Sequence, residues 1–194
     1  MKFDDFKNRT LWKMKYNDKS SKKSLDKEIV SLCNYINSLE DYVTTSSCSG
    51  RITLIKQEKE KYKTKRAWIF KSHDPISFND IANVKLPNEL VFFKMESAIL
   101  HIACRNLSAA IKMLNIARYA GFKRSGIISI KDEKIMIEVL STENLEFPFS
   151  LNKKRLINDD YLNVCIKIAN ERLKRTREKL KKFELKIKEE FNLL

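Results

Sequence analysis

Glycine is scarce in this chain, with three in 194 residues, at positions 50, 121 and 126. A dinucleotide fingerprint needs several glycines at fixed spacing. Neither GxGxxG nor GxxxxGK[ST] occurs, which argues against a Rossmann-type nucleotide domain. Cysteines stand at 33, 48, 104 and 165 with no CxxC pair. A zinc knuckle or disulfide framework is therefore not expected, and the thiols read as reduced. His73 and His101 are the two histidines, too few for a histidine-built metal site, and no metal is expected. Charged residues interrupt every apolar segment, so no stretch reaches membrane-spanning length. The opening "MKFDDFKNRT" lacks the apolar core of a secretory signal, and a cytoplasmic setting is expected.

Cations, by contrast, are plentiful. Lysine and arginine number 39 against 25 aspartates and glutamates, a formal charge of +14. A basic protein of this size suits a polyanion, because phosphate neutralisation releases counterions. The plainer alternative is a solubilising surface. There is a single glutamine, Gln57, among many lysines, isoleucines and asparagines, a bias seen with AT-rich genomes or heat adaptation. Apolar residues make up 43%, enough for a globular core.

Periodicity divides the chain. "FDDFKNRTLWKMKYN" places Phe3, Phe6, Leu11 and Met14 at helical spacing. A second helix is expected after a Ser24 cap, with Leu25, Ile29, Leu32, Cys33 and Ile36 as its stripe. "YVTTSS" and "RITLIKQEK" read as strands flanking a serine turn, and "KRAWIFKSH" as a short strand. "ELVFFKMESAILHIACRNL" reads as a hairpin. A helix capped by Ser108 and stopped at Gly121 follows, then a second hairpin around Asp132 and Glu133. From Asp160 a long basic C-terminal helix is expected, with Leu162, Cys165, Ala169, Leu173, Leu180, Phe183, Ile187 and Phe191 recurring at intervals of three or four apart from a polar step at Thr176. The expectation is a single α+β domain over residues 1–194, with a mixed or antiparallel sheet flanked by helices.

"TTSSCSGRI" carries the densest polar chemistry. Gly50 permits positive φ, and successive N–H groups in such a turn form an anion nest. The hydroxyls of Ser46, Ser47 and Ser49 add donors and acceptors, and Arg51 adds a planar fork for carboxylate or phosphate. A ligand site is favoured over a solvent-facing turn. Cys48 as a nucleophile needs a base that is not local, so a packed cysteine is the preferred reading. Alternation places His101 and Arg105 on one side of a strand, with Leu100 and Ile102 in the core. His73 ends a strand. Trp68 is core by default, or stacks on a base.

The same segments resemble a known family. "TTSSCSGRI", "DKSSKKSLDKEIVSLCNYIN", "AWIFKSHDPI" and "FKMESAILHIACRNLSAAIKMLNIARYAGFKRSGI" are similar, in order, to the wybutosine-synthesising tRNA methyltransferases of the third pathway step and their archaeal counterparts. One departure is "KTKRAWIF", where glycines are expected before the tryptophan. The resemblance implies a fold unlike the usual methyltransferase sheet, and S-adenosylmethionine as cofactor. It implies N4-methylation of 4-demethyl-7-(3-amino-3-carboxypropyl)wyosine, or a related precursor, in phenylalanine tRNA. On that reading Ser46, Ser47, Cys48, Ser49, Gly50, Arg51, Ser125 and Gly126 hold the cofactor. His101 and Asp26 orient the base or accept a proton. Lys22, Lys23, Trp68, His73, Arg105, Lys123 and Arg124 meet the tRNA, with Lys153, Lys154 and the terminal helix as further phosphate contacts. A monomer or weak homo-oligomer is expected. The alternatives are an RNA-binding module whose serine turn holds a phosphate, and a metal-free cysteine hydrolase.

Overall fold

The computed structural model describes residues 2–16, 26–57, 68–131 and 133–192. In chain order the elements are α1 (Phe3–Tyr16), a 3-10 turn (Lys27–Ile29) running into α2 (Val30–Ser38), β1 (Tyr42–Cys48), β2 (Arg51–Lys56), β3 (Trp68–Ser72), α3 (Phe78–Ala82), β4 (Val91–Glu96), β5 (Ile99–Cys104), α4 (Leu107–Tyr119), β6 (Gly126–Lys131), β7 (Lys134–Leu140), β8 (Leu145–Leu151), β9 (Lys154–Arg155) and α5 (Asp159–Asn192). The α+β class, the antiparallel pairing and the long basic C-terminal helix all hold. The strands divide between two sheets, and the chain groups into two compact units.

The first unit comprises Met1–Ser49, Ala98–Thr142 and Thr176–Leu194. Its sheet runs β1-β5-β7-β6, antiparallel throughout. Strand alternation sends Leu100, Ile102, Ile135, Ile137 and Val139 into a core with Leu32, Cys33 and Ile36 of α2, Met113 and Leu114 of α4, and Leu180, Phe183 and Ile187 of α5. Phe122 lies fully buried against Phe183, with ring centroids 5.7 Å apart. Burying each such ring contributes roughly 1.5–3 kcal/mol. The opposite face of the sheet is partly covered by α1, where Phe3, Phe6 and Leu11 pack on Val43, Ala103 and Met136.

The α4 helix ends as the sequence implied. Gly121 has φ 103°. Its N–H donates to the Arg118 carbonyl at 3.0 Å, and the Phe122 N–H donates to the Ala117 carbonyl at 3.0 Å. This is the double closure that a left-handed residue allows after a helix. The helix start differs from expectation. Asn106, not Ser108, is the cap, and its side chain accepts from the Ala109 N–H at 2.9 Å. Asn106 has the extended backbone a cap requires, whereas Ser108 already lies inside the first turn.

The second unit comprises Gly50–Ser97 and Glu143–Arg175, with sheet order β3-β2-β4-β8-β9. Ile52, Leu54, Val91, Phe93, Met95 and Phe149 meet Leu162, Ile166, Ala169 and Leu173 of α5 in its core. Asn170 reaches from α5 to a single loop residue, Ile76. Its Oδ1 accepts from the Ile76 N–H at 3.0 Å and its Nδ2 donates to the Ile76 carbonyl at 2.8 Å.

Two expected hairpins need correction. β1 and β2 flank the serines but do not pair, since β1 pairs with β5 and β2 with β3 and β4. β4 and β5 are separated by two residues, yet each pairs within its own sheet. Two alternating strands joined by two residues look alike in sequence whether they fold back or pass from one sheet to another. The β6–β7 hairpin is observed. Ser24, Leu25, Lys65 and Arg66 lie outside the described residues, as does Asp132. Among the described residues no helix is long and apolar enough to cross a membrane.

Candidate functional site

The serine stretch is mostly strand. Ser46, Ser47 and Cys48 belong to β1, where a bulge interrupts the pairing between Thr44 and Ser46. A bulge re-aims the side chains that follow it. Ser46 is exposed, and Ser47 and Cys48 are half-buried. The Ser47 Oγ is itself buried and makes no hydrogen bond of ordinary geometry. It lies in weak contact with the Cys33 thiol, whose pKa burial nonetheless pushes up. Ser49 is buried, and both its N–H (2.9 Å) and its Oγ (3.1 Å) donate to the Asp26 carboxylate.

Register brings distant candidates into one row. Ser46 pairs with His101, His101 with Glu138, and Glu138 with Gly126, across all four strands of the first sheet. The His101 Nε2 lies 3.0 Å from Glu138 Oε1, and both side chains are partly exposed. The Thr45 Oγ1 donates to the His101 carbonyl at 3.3 Å. This row continues, past Ala103 and Met136, the face whose other end α1 covers. A hydroxyl, an imidazole and a carboxylate thus stand in line on a rigid sheet, a disposition suited to holding a polar group and moving a proton.

Other candidates are occupied by the fold. Arg105 leaves the end of β5 and grips acids: Nε lies 2.5 Å from Asp41 Oδ1, and Nη2 lies 2.8 Å from Asp4 Oδ1 and 3.4 Å from Glu40 Oε1. It also lies over the Phe3 ring, so it ties α1 to the sheet. Ser125 is buried; its Oγ donates to the Phe122 carbonyl at 2.7 Å and accepts from the Leu140 N–H at 3.1 Å. Gly126 has open space where a Cβ would stand. Lys123 and Arg124 are exposed in the turn before β6. Lys22 and Lys23 lie outside the described residues.

In the second unit, Gly50 has φ 96°, the conformation its position implied. Its carbonyl accepts from His73 Nδ1 at 3.0 Å, which fixes the proton of a neutral His73 on Nδ1. Arg51 faces Glu96 across β2 and β4, with Nε donating to Oε2 at 2.6 Å. Trp68 is half-buried, and the Arg51 guanidinium (4.9 Å) and Lys71 ammonium (4.1 Å) lie over its ring.

Sequence reading missed Glu138 and Glu96. Each is the acidic residue on the outward side of an alternating strand, at Met136-Ile137-Glu138 and at Met95-Glu96. That signal marks a face but names no cross-strand partner.

This is an α+β scaffold of antiparallel sheets without a Rossmann sheet or a glycine loop for phosphates. A family model described as Methyltransferase TYW3 matches residues 5–189, and the chain belongs to that methyltransferase family. Over 170 residues it is 36% identical to tRNA(Phe) 7-((3-amino-3-carboxypropyl)-4-demethylwyosine(37)-N(4))-methyltransferase of Thermococcus sibiricus, covering 87% of this chain and 86% of that one. It is 32% identical to tRNA wybutosine-synthesizing protein 3 homolog of Bos taurus, covering 86% and 66%. The PH1069 protein of Pyrococcus horikoshii has a solved structure that superposes with a TM-score of 0.87 at 34% identity, covering 95% of each chain.

Proposed function

We propose that the chain, acting as one functional domain, transfers a methyl group from S-adenosylmethionine to N4 of 4-demethyl-7-(3-amino-3-carboxypropyl)wyosine, or a related precursor, in phenylalanine tRNA. The observation that carries this reading is the 36% identity, over 87% of the chain, to a relative named for that reaction. The setting it requires is the cytoplasm, where tRNA is processed. The charge of +14 suits the RNA.

The residues fit the cofactor. When bound, S-adenosylmethionine supplies a methyl carbon on a sulfonium, and in-line displacement makes catalysis largely a matter of position. Ser46 is exposed, and the buried Ser47 Oγ lacks a good partner, so both have hydrogen-bonding capacity for a ribose or amino-acid group. Ser49 gives its donors to Asp26 and acts by holding the stretch in place. Arg51, already paired with Glu96, shares its fork with any carboxylate it meets. Asp26 shapes the stretch, and His101 is the proton acceptor. The tRNA phosphates are met by Lys123, Arg124 and the exposed lysines of α5.

Mass spectrometry of phenylalanine tRNA carrying the demethyl precursor, after incubation with protein and cofactor, tests the proposal. A gain of one methyl group at that nucleoside is expected. Binding of tRNA without any mass change would return the chain to the class of RNA-binding modules.

A further inference from the structure

Glu138 stands directly across β5 and β7 from His101 and touches its imidazole, and sequence reasoning assigns it no role. We infer that Glu138 is a positioning residue that fixes the tautomer and orientation of His101 for methyl transfer. The inference rests on the proposed reading of His101 as proton acceptor. A carboxylate only accepts hydrogen bonds, so the 3.0 Å contact places the neutral imidazole's proton on Nε2. The lone pair is then on Nδ1, the nitrogen turned from the carboxylate. The accepting nitrogen of the substrate forms a bond to the methyl carbon, the carbon–sulfur bond breaks with its electron pair remaining on sulfur, and the N–H proton passes to Nδ1. The resulting imidazolium has its positive charge against Glu138.

Several observations separate this pair from an ordinary cross-strand ion pair. Both partners sit on antiparallel strands of one sheet, so their separation is set by register rather than by a flexible loop. They are equally half-shielded, with side-chain exposures of 29% and 28%. They lie on the same face as Val43, Ala103 and Met136, which pack against Phe3, Phe6 and Leu11 of α1. Opposite Glu138 on its other side stands Gly126, which brings no side chain to compete for the carboxylate.

The test combines kinetics with imidazole nitrogen spectra. In the wild-type protein, long-range proton–nitrogen correlations are expected to show His101 protonated at Nε2 and bare at Nδ1. Glu138→Ala is expected to mix the tautomers and to lower kcat by about ten- to a hundredfold, with cofactor Kd and tRNA KM within twofold of wild type. Glu138→Gln keeps an acceptor oxygen and is expected to restore most of the loss. In a His101→Ala background, Glu138→Ala should slow the reaction no further. The inference is overturned if Glu138→Ala leaves both tautomer and kcat unchanged, or if it slows His101→Ala as much as it slows wild type. Full turnover by His101→Ala overturns the reading of His101 itself, a separate result. Should wild type transfer no methyl at all, the tautomer spectra still decide whether Glu138 orders the ring.

Discussion

The Asp26 carboxylate receives both the backbone N–H and the hydroxyl of Ser49, 23 residues further along the chain. It therefore closes the end of β1 and fixes the serine stretch that precedes Gly50. Asp26→Ala leaves a buried N–H without its acceptor and is expected to cost about 1–3 kcal/mol in urea unfolding. Asp26→Asn keeps an oxygen acceptor and should recover part of that. If Asp26 instead takes the substrate proton, Asp26→Asn will remain stable and lose turnover, and paired unfolding and kinetic measurements separate the two roles.

Cofactor affinity should track the hydroxyls that have spare capacity. Ser46→Ala and Ser47→Ala are each expected to weaken S-adenosylmethionine by about 1 kcal/mol in calorimetry. Ser125→Ala should leave affinity near wild type and lower stability, because Ser125 bonds within its own turn. Equal affinity in Ser46→Ala, Ser47→Ala and wild type would remove the serine stretch from the cofactor site.

Asn170 makes a stability prediction free of the chemistry. Its amide saturates both polar groups of Ile76, a residue that is 6% exposed. Asn170→Ala strands that peptide and is expected to lower unfolding free energy by about 1–3 kcal/mol. Asn170→Asp keeps the acceptor and loses the donor, so it should fall between wild type and Ala.

Local signals were legible where one segment sufficed. The Gly121 stop, the positive φ at Gly50, the α5 stripe and the Leu100/Ile102 core face follow from a single residue's freedom or a fixed period. Pairing was legible for the β6–β7 hairpin and not elsewhere. β1 and β2, or β4 and β5, carry the alternation of hairpins, yet their partners come from other parts of the chain. The row Ser46–His101–Glu138–Gly126 is a product of register; Ser46 and His101 were candidates on residue chemistry, Gly126 only through the family resemblance, and Glu138 not at all. Arg105 shows the converse. Alternation put it beside His101, but the acids that hold it, Asp4, Glu40 and Asp41, are local only in space.

Acid should loosen the α1 attachment. The hydrogen bond from Arg105 holds the Asp4 carboxyl below its usual range. Burial alone would raise Glu184, but hydrogen bonds from Lys188 and Ser31 outweigh it and lower that group too. A carboxyl depressed in the folded state contributes stability above its unfolded pKa, about 4 for these groups. The contribution disappears as pH falls through the folded value. Melting temperature is therefore expected to fall as pH drops below about 4, and Arg105→Ala should flatten part of that fall. The effect of Asp4 is small because the pair is solvent-exposed.

The last prediction concerns α5 and RNA. Lys186 is paired with Glu189 and Glu190, Lys188 with Glu184, and Arg175 with Glu143, so these cations are partly neutralised within the fold. Lys174 and Lys181 are exposed and make no ion pair among the described residues. They are the better phosphate contacts on α5, because no carboxylate must be displaced. Reversing either to Glu should lower the slope of log affinity against log salt by about 0.7–0.9 per lost phosphate contact. Folding should be little changed, since both side chains are exposed while Leu173 and Leu180 supply the buried contacts. Reversing Lys188 should instead disturb the Ser31–Glu184–Lys188 link and lower stability with a smaller effect on the slope. An unchanged slope in both Lys174→Glu and Lys181→Glu would assign α5 to packing alone, through the stripe that runs from Leu162 to Ile187.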